Sequence, residues 1–122
     1  MNSRMGLVLI LFLAAADSSC AFRDGYREGL AEGREAYLRD DLSMMRDGIK
    51  KYTSDLGPPQ SLDELVKLGY MSHIPRDPIT DKADWVIVQY NCSTLVNCKK
   101  GIKDVHSAST AKSTKGSSYS DW

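Results

Sequence analysis

The chain has 122 residues, with 16 lysines and arginines against 16 aspartates and glutamates, for a formal net charge of zero. That balance excludes the basic footprint of a nucleic-acid binder and the charged tail of a membrane-surface protein, so its partners are expected to be proteins. Three cysteines and two histidines leave little material for a metal centre.

The first element is MNSRMGLVLILFLAAADSSC. An uncharged, mostly apolar run from Gly6 to Ala16 follows Arg4 and ends at Asp17-Ser18-Ser19. A membrane-spanning helix needs about 20 apolar residues, whereas a shorter run behind a basic start and before small residues is the pattern of a secretory signal. Residues 1–20 are therefore set apart as a signal peptide or lipoprotein signal, and what remains suits one small domain with a modest core. Small residues directly before Cys20 resemble a bacterial lipobox, in which lipid on that cysteine anchors an exported protein. Asp17 stands where a lipobox carries an apolar residue, so plain cleavage near Ala16 or Ala21 competes with lipidation. Membrane contact is expected only through lipid on Cys20, and the location is the periplasm or cell envelope.

Residues 21–57 read as an amphipathic helix. Leu38, Leu42, Met45, Ile49 and Tyr52 recur at steps of four, three, four and three, with Ala31 one heptad earlier. Arg39, Asp40, Arg46, Asp47, Lys50 and Lys51 fall to the wet side, and Asp40-Asp41 reads as a solvated pair. Gly25, Gly29 and Gly33 weaken the start of the helix by about 1 kcal/mol each relative to alanine. Their spacing permits a close helix contact, and fraying is the competing reading.

Residues 58–122 form the head. Gly57-Pro58-Pro59 ends the long helix. A short helix starts at Ser61, whose side chain and that of Glu64 cap each other's free amides, and stops at Gly69. A loop held by Pro75 and Pro78 follows, in which Asp77 and Asp81 bracket a turn and bond backbone amides. The β-branched and aromatic run Trp85–Tyr90 predicts a strand, and Ile102 with Val105 a weaker one. Together they make an antiparallel hairpin against the long helix. ASTAKSTKGSSYSDW has the composition of a loop or a disordered tail, yet Tyr119 and Trp122 are expected to dock, with Trp122 partly buried.

If Cys20 is removed or capped, Cys92 and Cys98 remain as an even pair. In an oxidising compartment they form a disulfide closing a small loop, worth about 2 kcal/mol. Half of a zinc site is the alternative, but His73 and His106 stand at no ligand spacing and read as structural or exposed residues. There is no Ser-His-Asp or Cys-His arrangement, phosphate loop or dinucleotide fingerprint. No residue is assigned a catalytic, cofactor-binding or metal-binding role.

The ordered run REAYLRDDLSMMRDGIKKYTSDLG, PQSLDELVKLGYMSHIPRDPIT, ADWVIV, GIKDVHSAS and GSSYSDW resembles the soluble part of the major, G-type pseudopilin of type II secretion systems, related to type IV pilins. The resemblance covers about residues 34 to 122. It implies an α+β, pilin-like fold, with a long N-terminal helix packed on a short helix and a small antiparallel β-sheet. It also implies a non-enzymatic role: such subunits stack into a periplasmic filament that helps move folded cargo, with energy supplied by a separate ATPase. The implied partners are other pseudopilins or secretion-system proteins. A free periplasmic or lipid-anchored binding module that reuses the pilin head is the alternative, and a metal-dependent enzyme a distant third.

Two stretches depart from the family pattern. Members carry a leader cut after glycine, then a phenylalanine-headed apolar segment with glutamate at its fifth position. Here Gly6 precedes LVLILFLAAAD, with Leu11 at the fifth. Many members also bind calcium through aspartates in a C-terminal loop. SASTAKSTKGSSYSDW lacks that pattern, leaving only Asp104 and Asp121 as candidate carboxylate ligands.

Overall fold

The computed structural model of the chain describes residues 2–93 and 96–122, with residues 2–24 and 28 by their backbone alone. The elements in order are α1 (Asn2–Leu56), α2 (Leu62–Lys67), β1 (Val86–Gln89), β2 (Ile102–His106) and a 3-10 turn (Tyr119–Asp121). This is an α+β arrangement of a long helix and a two-stranded antiparallel sheet. The contacts divide the chain into two units, Met1–Gly33 and Arg34–Trp122.

The first unit is helical from Asn2 onward, so the stretch set apart as an export signal is helical in the full chain. The side chain of Cys20 lies outside the described residues. Helix also continues through Gly25, Gly29 and Gly33, where an added Cβ would meet nothing within 4 Å. Neither close packing nor a helix break marks them.

The second unit is organised by the apolar stripe of α1. Leu38, Leu42, Met45, Ile49 and Tyr52 are all buried, and they meet Leu65, Met71, Trp85, Ile102, Val105 and Tyr119 in one core. The helix ends where its chemistry demands: the Gly57 amide bonds the Thr53 carbonyl at 3.0 Å, and Pro58 offers no amide to continue. Ser61 caps α2 by accepting the Glu64 amide at 3.3 Å. The return bond differs from the expected capping box. Glu64 accepts from the Gln60 amide, one residue earlier than Ser61, and also from the Tyr52 hydroxyl, each at 3.0 Å. One carboxylate thus closes the start of α2 and ties it to α1. After α2 the chain returns so close to α1 that a Cβ on Gly48 would lie 2.9 Å from Met71 Cγ and 3.3 Å from the Tyr70 carbonyl oxygen.

The double-proline loop is held from within. Asp77, fully buried, accepts the Ile79 amide at 2.8 Å and the Ser107 hydroxyl at 2.5 Å. The Asp81 amide bonds the Asp77 carbonyl at 2.7 Å, so the two bracket the turn, but only the Asp77 carboxylate bonds a backbone amide; Asp81 takes part through its main chain. Trp85 drops its ring into the core and donates its indole N–H to the Pro75 carbonyl at 2.8 Å. It therefore anchors the entry to β1 rather than lying within it.

β1 and β2 pair in register Val86↔His106, Ile87↔Val105 and Val88↔Asp104, then slip by one residue at a bulge before Gln89↔Ile102. β2 is the inner strand, with Ile102 and Val105 buried. Among the described residues no strand pairs with the outer edge of β1. No buried side-chain nitrogen or oxygen among them lacks a hydrogen-bond partner.

Candidate functional site

Composition marks residues 108–122 as loop, yet they are held by a polar seam along α1. Glu35, one helical turn before Leu38, is buried to 2 % exposure. Its carboxylate accepts the Thr114 amide at 2.7 Å, the Thr114 hydroxyl at 2.8 Å and the Tyr119 hydroxyl at 2.8 Å. Burial pushes its pKa up, but the Thr114 and Tyr119 bonds and the Arg39 charge outweigh that, and the net direction is down. Burial and the bond to Glu35 push the Tyr119 hydroxyl up to about 12. Within the tail, the Ser113 amide bonds the Ser117 carbonyl at 2.7 Å and the Tyr119 amide bonds the Ala111 carbonyl at 3.1 Å. The tail is a small ordered hairpin with one helix carboxylate as its staple.

Further along α1, Arg46 makes the second cross-link. Its position beside Met45 suggested the wet side, but the side chain is only half exposed. It donates to Asp104 Oδ1 at 2.8 Å and to the main-chain oxygens of Val105 and Trp122, each at 2.9 Å. A residue next to the stripe can reach over the helix shoulder when its side chain is long and forked. Asp104 also accepts the Val105 amide at 2.8 Å. Desolvation opposes ionisation of Asp104, but the bonds from Arg46 and Val105 prevail and lower its pKa. His106 completes the group: Nδ1 meets the main-chain oxygen of Trp122, and Nε2 lies 3.6 Å from Asp104 Oδ2. Trp122 is partly buried as expected, edge-on to Tyr119 at 5.3 Å between centroids, with the Arg39 guanidinium 4.6 Å from its ring centre.

Replacing Arg46 by methionine keeps the apolar stem and deletes three charge-assisted bonds. Because the pair with Asp104 is about one-third exposed, water recovers part of the loss, and the expected cost is about 2 kcal/mol. Arg46→Lys should recover little, since an ammonium cannot span three acceptors as a guanidinium fork does. Urea denaturation of the three proteins measures both effects. Equal midpoints would remove Arg46 from the seam's energetics.

Cys92 and Cys98 form the expected disulfide, with Cα atoms 5.4 Å apart, at the tip of the β1–β2 hairpin. His73 is exposed, with Nδ1 2.9 Å from the Ser72 hydroxyl oxygen. It stands apart from the seam that holds His106. Asp40 is exposed, but Asp41 is half-buried. Its pKa is raised by desolvation first and by the neighbouring Asp40 charge second, so the pair is not evenly solvated. Asp104 and Asp121 do not form a carboxylate cluster: Asp104 is committed to Arg46, and Asp121 is exposed on the 3-10 turn. Among the described residues no group of three potential ligands is placed to hold a metal ion.

The seam's groups satisfy one another, so their chemistry is to hold the tail. Outside the seam, Val86, Ile87 and Tyr90 expose 47 %, 37 % and 37 % of their area. Beside Tyr90 an open depression of about 210 Å³ is lined by Arg46, Ile49, Lys50, Thr53, Tyr90 and Lys103. The Lys103 ammonium sits 5.9 Å from the centre of the Tyr90 ring. Glu35 and this open edge were both missed in the sequence. The signal for Glu35 was its place three residues before Leu38 on the buried stripe. Among the described residues no helix is long and apolar enough to cross a membrane. No protein-family model, curated protein or solved structure matches the chain.

Proposed function

We infer that the chain is a non-enzymatic, pseudopilin-like structural or assembly component of a bacterial type II secretion or type IV pilus-like system. The carrying observation is the construction of the unit Arg34–Trp122. There a helix stripe supplies half of the core of a head made from a capped short helix, a pinned double-proline loop and a hairpin, in the order of the resembling motifs. Such a head travels as one piece with its helix, which is what packing into a larger assembly requires. The Cys92–Cys98 disulfide agrees with an oxidising, exported location. His106 and the acids of the seam are read as structural, because each is spent on bonds that fasten the tail.

The alternative, an exported or lipid-anchored binding module built on the same head, is favoured by the exposed apolar edge of β1. The two readings separate in the protein's own cells. Affinity purification after in vivo cross-linking should recover pilin-like or secretion-system subunits, and deleting the protein should impair secretion or piliation. Intact secretion and piliation in the deletion strain, with only monomer recovered, would overturn the assembly reading in favour of the binding module. Mass spectrometry of the same preparation reads the mature N-terminus and any acyl group on Cys20.

A further inference from the structure

The depression beside Tyr90 is lined from two elements. Arg46, Ile49, Lys50 and Thr53 recur at steps of three, one and three, which sets them on one face of α1. Tyr90, fixed by its amide bond to the Gly101 carbonyl at 3.0 Å, and Lys103 of β2 line it from the hairpin. No acidic side chain is part of the lining. Two larger depressions on α1, of about 480 and 410 Å³, differ in this respect, since Asp47 lines both.

The lysines here are not spent elsewhere. Among the described residues the ion pairs join Arg46 and His106 to Asp104, so the exposed Lys50 and Lys103 have no counter-charge. Arg46 is largely used: Nε and Nη2 hold Asp104 and the main-chain oxygens of Val105 and Trp122, which leaves Nη1. Two ammoniums brought to one depression repel each other, and an anion bound there replaces repulsion by attraction. At about 210 Å³ the depression is smaller than the about 300–1,000 Å³ that encloses a drug-sized ligand. It suits one anionic group, with the rest of its molecule outside.

The donors select the kind of anion. A planar carboxylate is matched by a guanidinium fork, and the guanidinium of Arg46 is already committed. What remains is a pair of point charges from two different elements, which suits a tetrahedral group with oxygens on several sides. The Tyr90 ring, 5.9 Å from the Lys103 ammonium, offers an apolar wall to an ester carbon.

We propose that this depression is a binding site for a phosphate group, carried by a soluble phosphate ester or by a phospholipid headgroup, with Lys50 and Lys103 as its charged donors. The site goes beyond the assembly reading and does not depend on it, because the binding is a property of the isolated chain.

The test titrates the full chain, its disulfide intact, with inorganic phosphate, glycerol phosphate and acetate at constant ionic strength, followed by heteronuclear NMR. With either phosphate the backbone signals of Lys50, Thr53, Tyr90 and Lys103 should move together on one saturating curve, and acetate should bind about tenfold more weakly. Lys50→Gln and Lys103→Gln should each weaken phosphate binding about fivefold, whereas Lys67→Gln on α2 should leave it unchanged. All three lysines are exposed, so the variants keep their fold, which unchanged spectra elsewhere verify. Vesicles separate the two sources. Co-sedimentation with phosphatidylglycerol but not phosphatidylcholine vesicles, lost in the Lys50→Gln, Lys103→Gln double variant, assigns a lipid headgroup; saturable phosphate binding without co-sedimentation assigns a soluble ester. Shifts that never saturate, shifts spread equally over Lys51, Lys67 and Lys82, equal affinity for acetate, or binding unmoved by the Lys50 and Lys103 variants overturns the proposal. None of these outcomes bears on whether the protein is needed for secretion or piliation.

Discussion

Glu35→Ala should lower the stability of the Arg34–Trp122 unit by about 3 kcal/mol, with a fall in melting temperature of about 15 °C. One carboxylate accepts three bonds, from the amide and hydroxyl of Thr114 and from Tyr119. Its removal strands the buried Tyr119 hydroxyl and frees the turn around Thr114. Glu35→Gln should fall between the two, because one amide oxygen still accepts while its NH2 group faces a donor. Calorimetry gives the melting temperature, and trypsin gives the local effect, since Lys112 and Lys115 lie in the stapled turn. A variant that melts with the wild type and is cut no faster would show that the staple contributes nothing.

The same bonds set a pH dependence. The folded-state pKa of Glu35 is depressed, so its contribution is present above the ordinary glutamate pKa and is lost as pH falls through the lower folded value. Asp104 acts in the same direction. Asp41 acts oppositely: its pKa is raised in the fold, so its ionised form costs stability at neutral pH and that cost lessens with acid. The stability of wild type minus that of Glu35→Gln isolates the Glu35 contribution. The difference should shrink as pH drops below about 4. A difference that stays constant through that range would refute the linkage.

Gly101→Ala should cost about 3 kcal/mol for a different reason. Gly101 precedes β2 at φ +149°, where a Cβ would stand 2.6 Å from Pro58 Cβ, 2.8 Å from the Pro59 carbonyl oxygen and 2.9 Å from that of Pro58. None of these atoms can swing away: one belongs to a closed ring, and the others are backbone. The next residue fastens the junction, since the Ile102 amide donates to the Pro59 carbonyl at 2.8 Å. An added methyl therefore pushes β2 off the end of α1, which is overpacking rather than conformational preference alone. Gly116→Ala supplies the control. Gly116 has φ +90° but open space around it, so alanine there should cost only about 1 kcal/mol. Chemical denaturation of both variants decides the matter, and equal losses would mean that the close approach is not what matters at Gly101.

Those two positions show where one-dimensional reading stops. Gly101 sits in CKKGIK, a context that announces a loop but not that two prolines forty residues earlier lie against it. Glu35 sits in GREAYL, among charged neighbours, and only its helical phase relative to Leu38 hints that it turns inward. Arg46 was assigned to solvent by the same phase argument that correctly buried Met45. The argument fails for a long side chain beside the stripe, whose head lies far from its Cα. Trp122 was more legible, because a large ring at the end of a polar tail gains more by docking than by hydration.

The long helix, its stripe from Leu38 to Tyr52, the stop at Gly57-Pro58, the Ser61 cap, the Asp77 turn, the β1–β2 pair and the Cys92–Cys98 bridge all follow from the amino-acid sequence itself. The helices, the stop and the turn rest on periodicity, on the missing amide of proline or on side chains bonding near neighbours; the strands rest on β-branched and aromatic runs, and the bridge on an even cysteine pair. Tertiary structure alone decided that Glu35 staples the tail, that Arg46 ties α1 to Asp104 and Trp122, that β2 is the inner strand, and that among the described residues no strand pairs with the outer edge of β1. These join groups separated by 58 to 84 residues or depend on which strand lies inward. Such choices are settled by how three-dimensional packing satisfies every buried donor and acceptor, and no local pattern encodes that outcome.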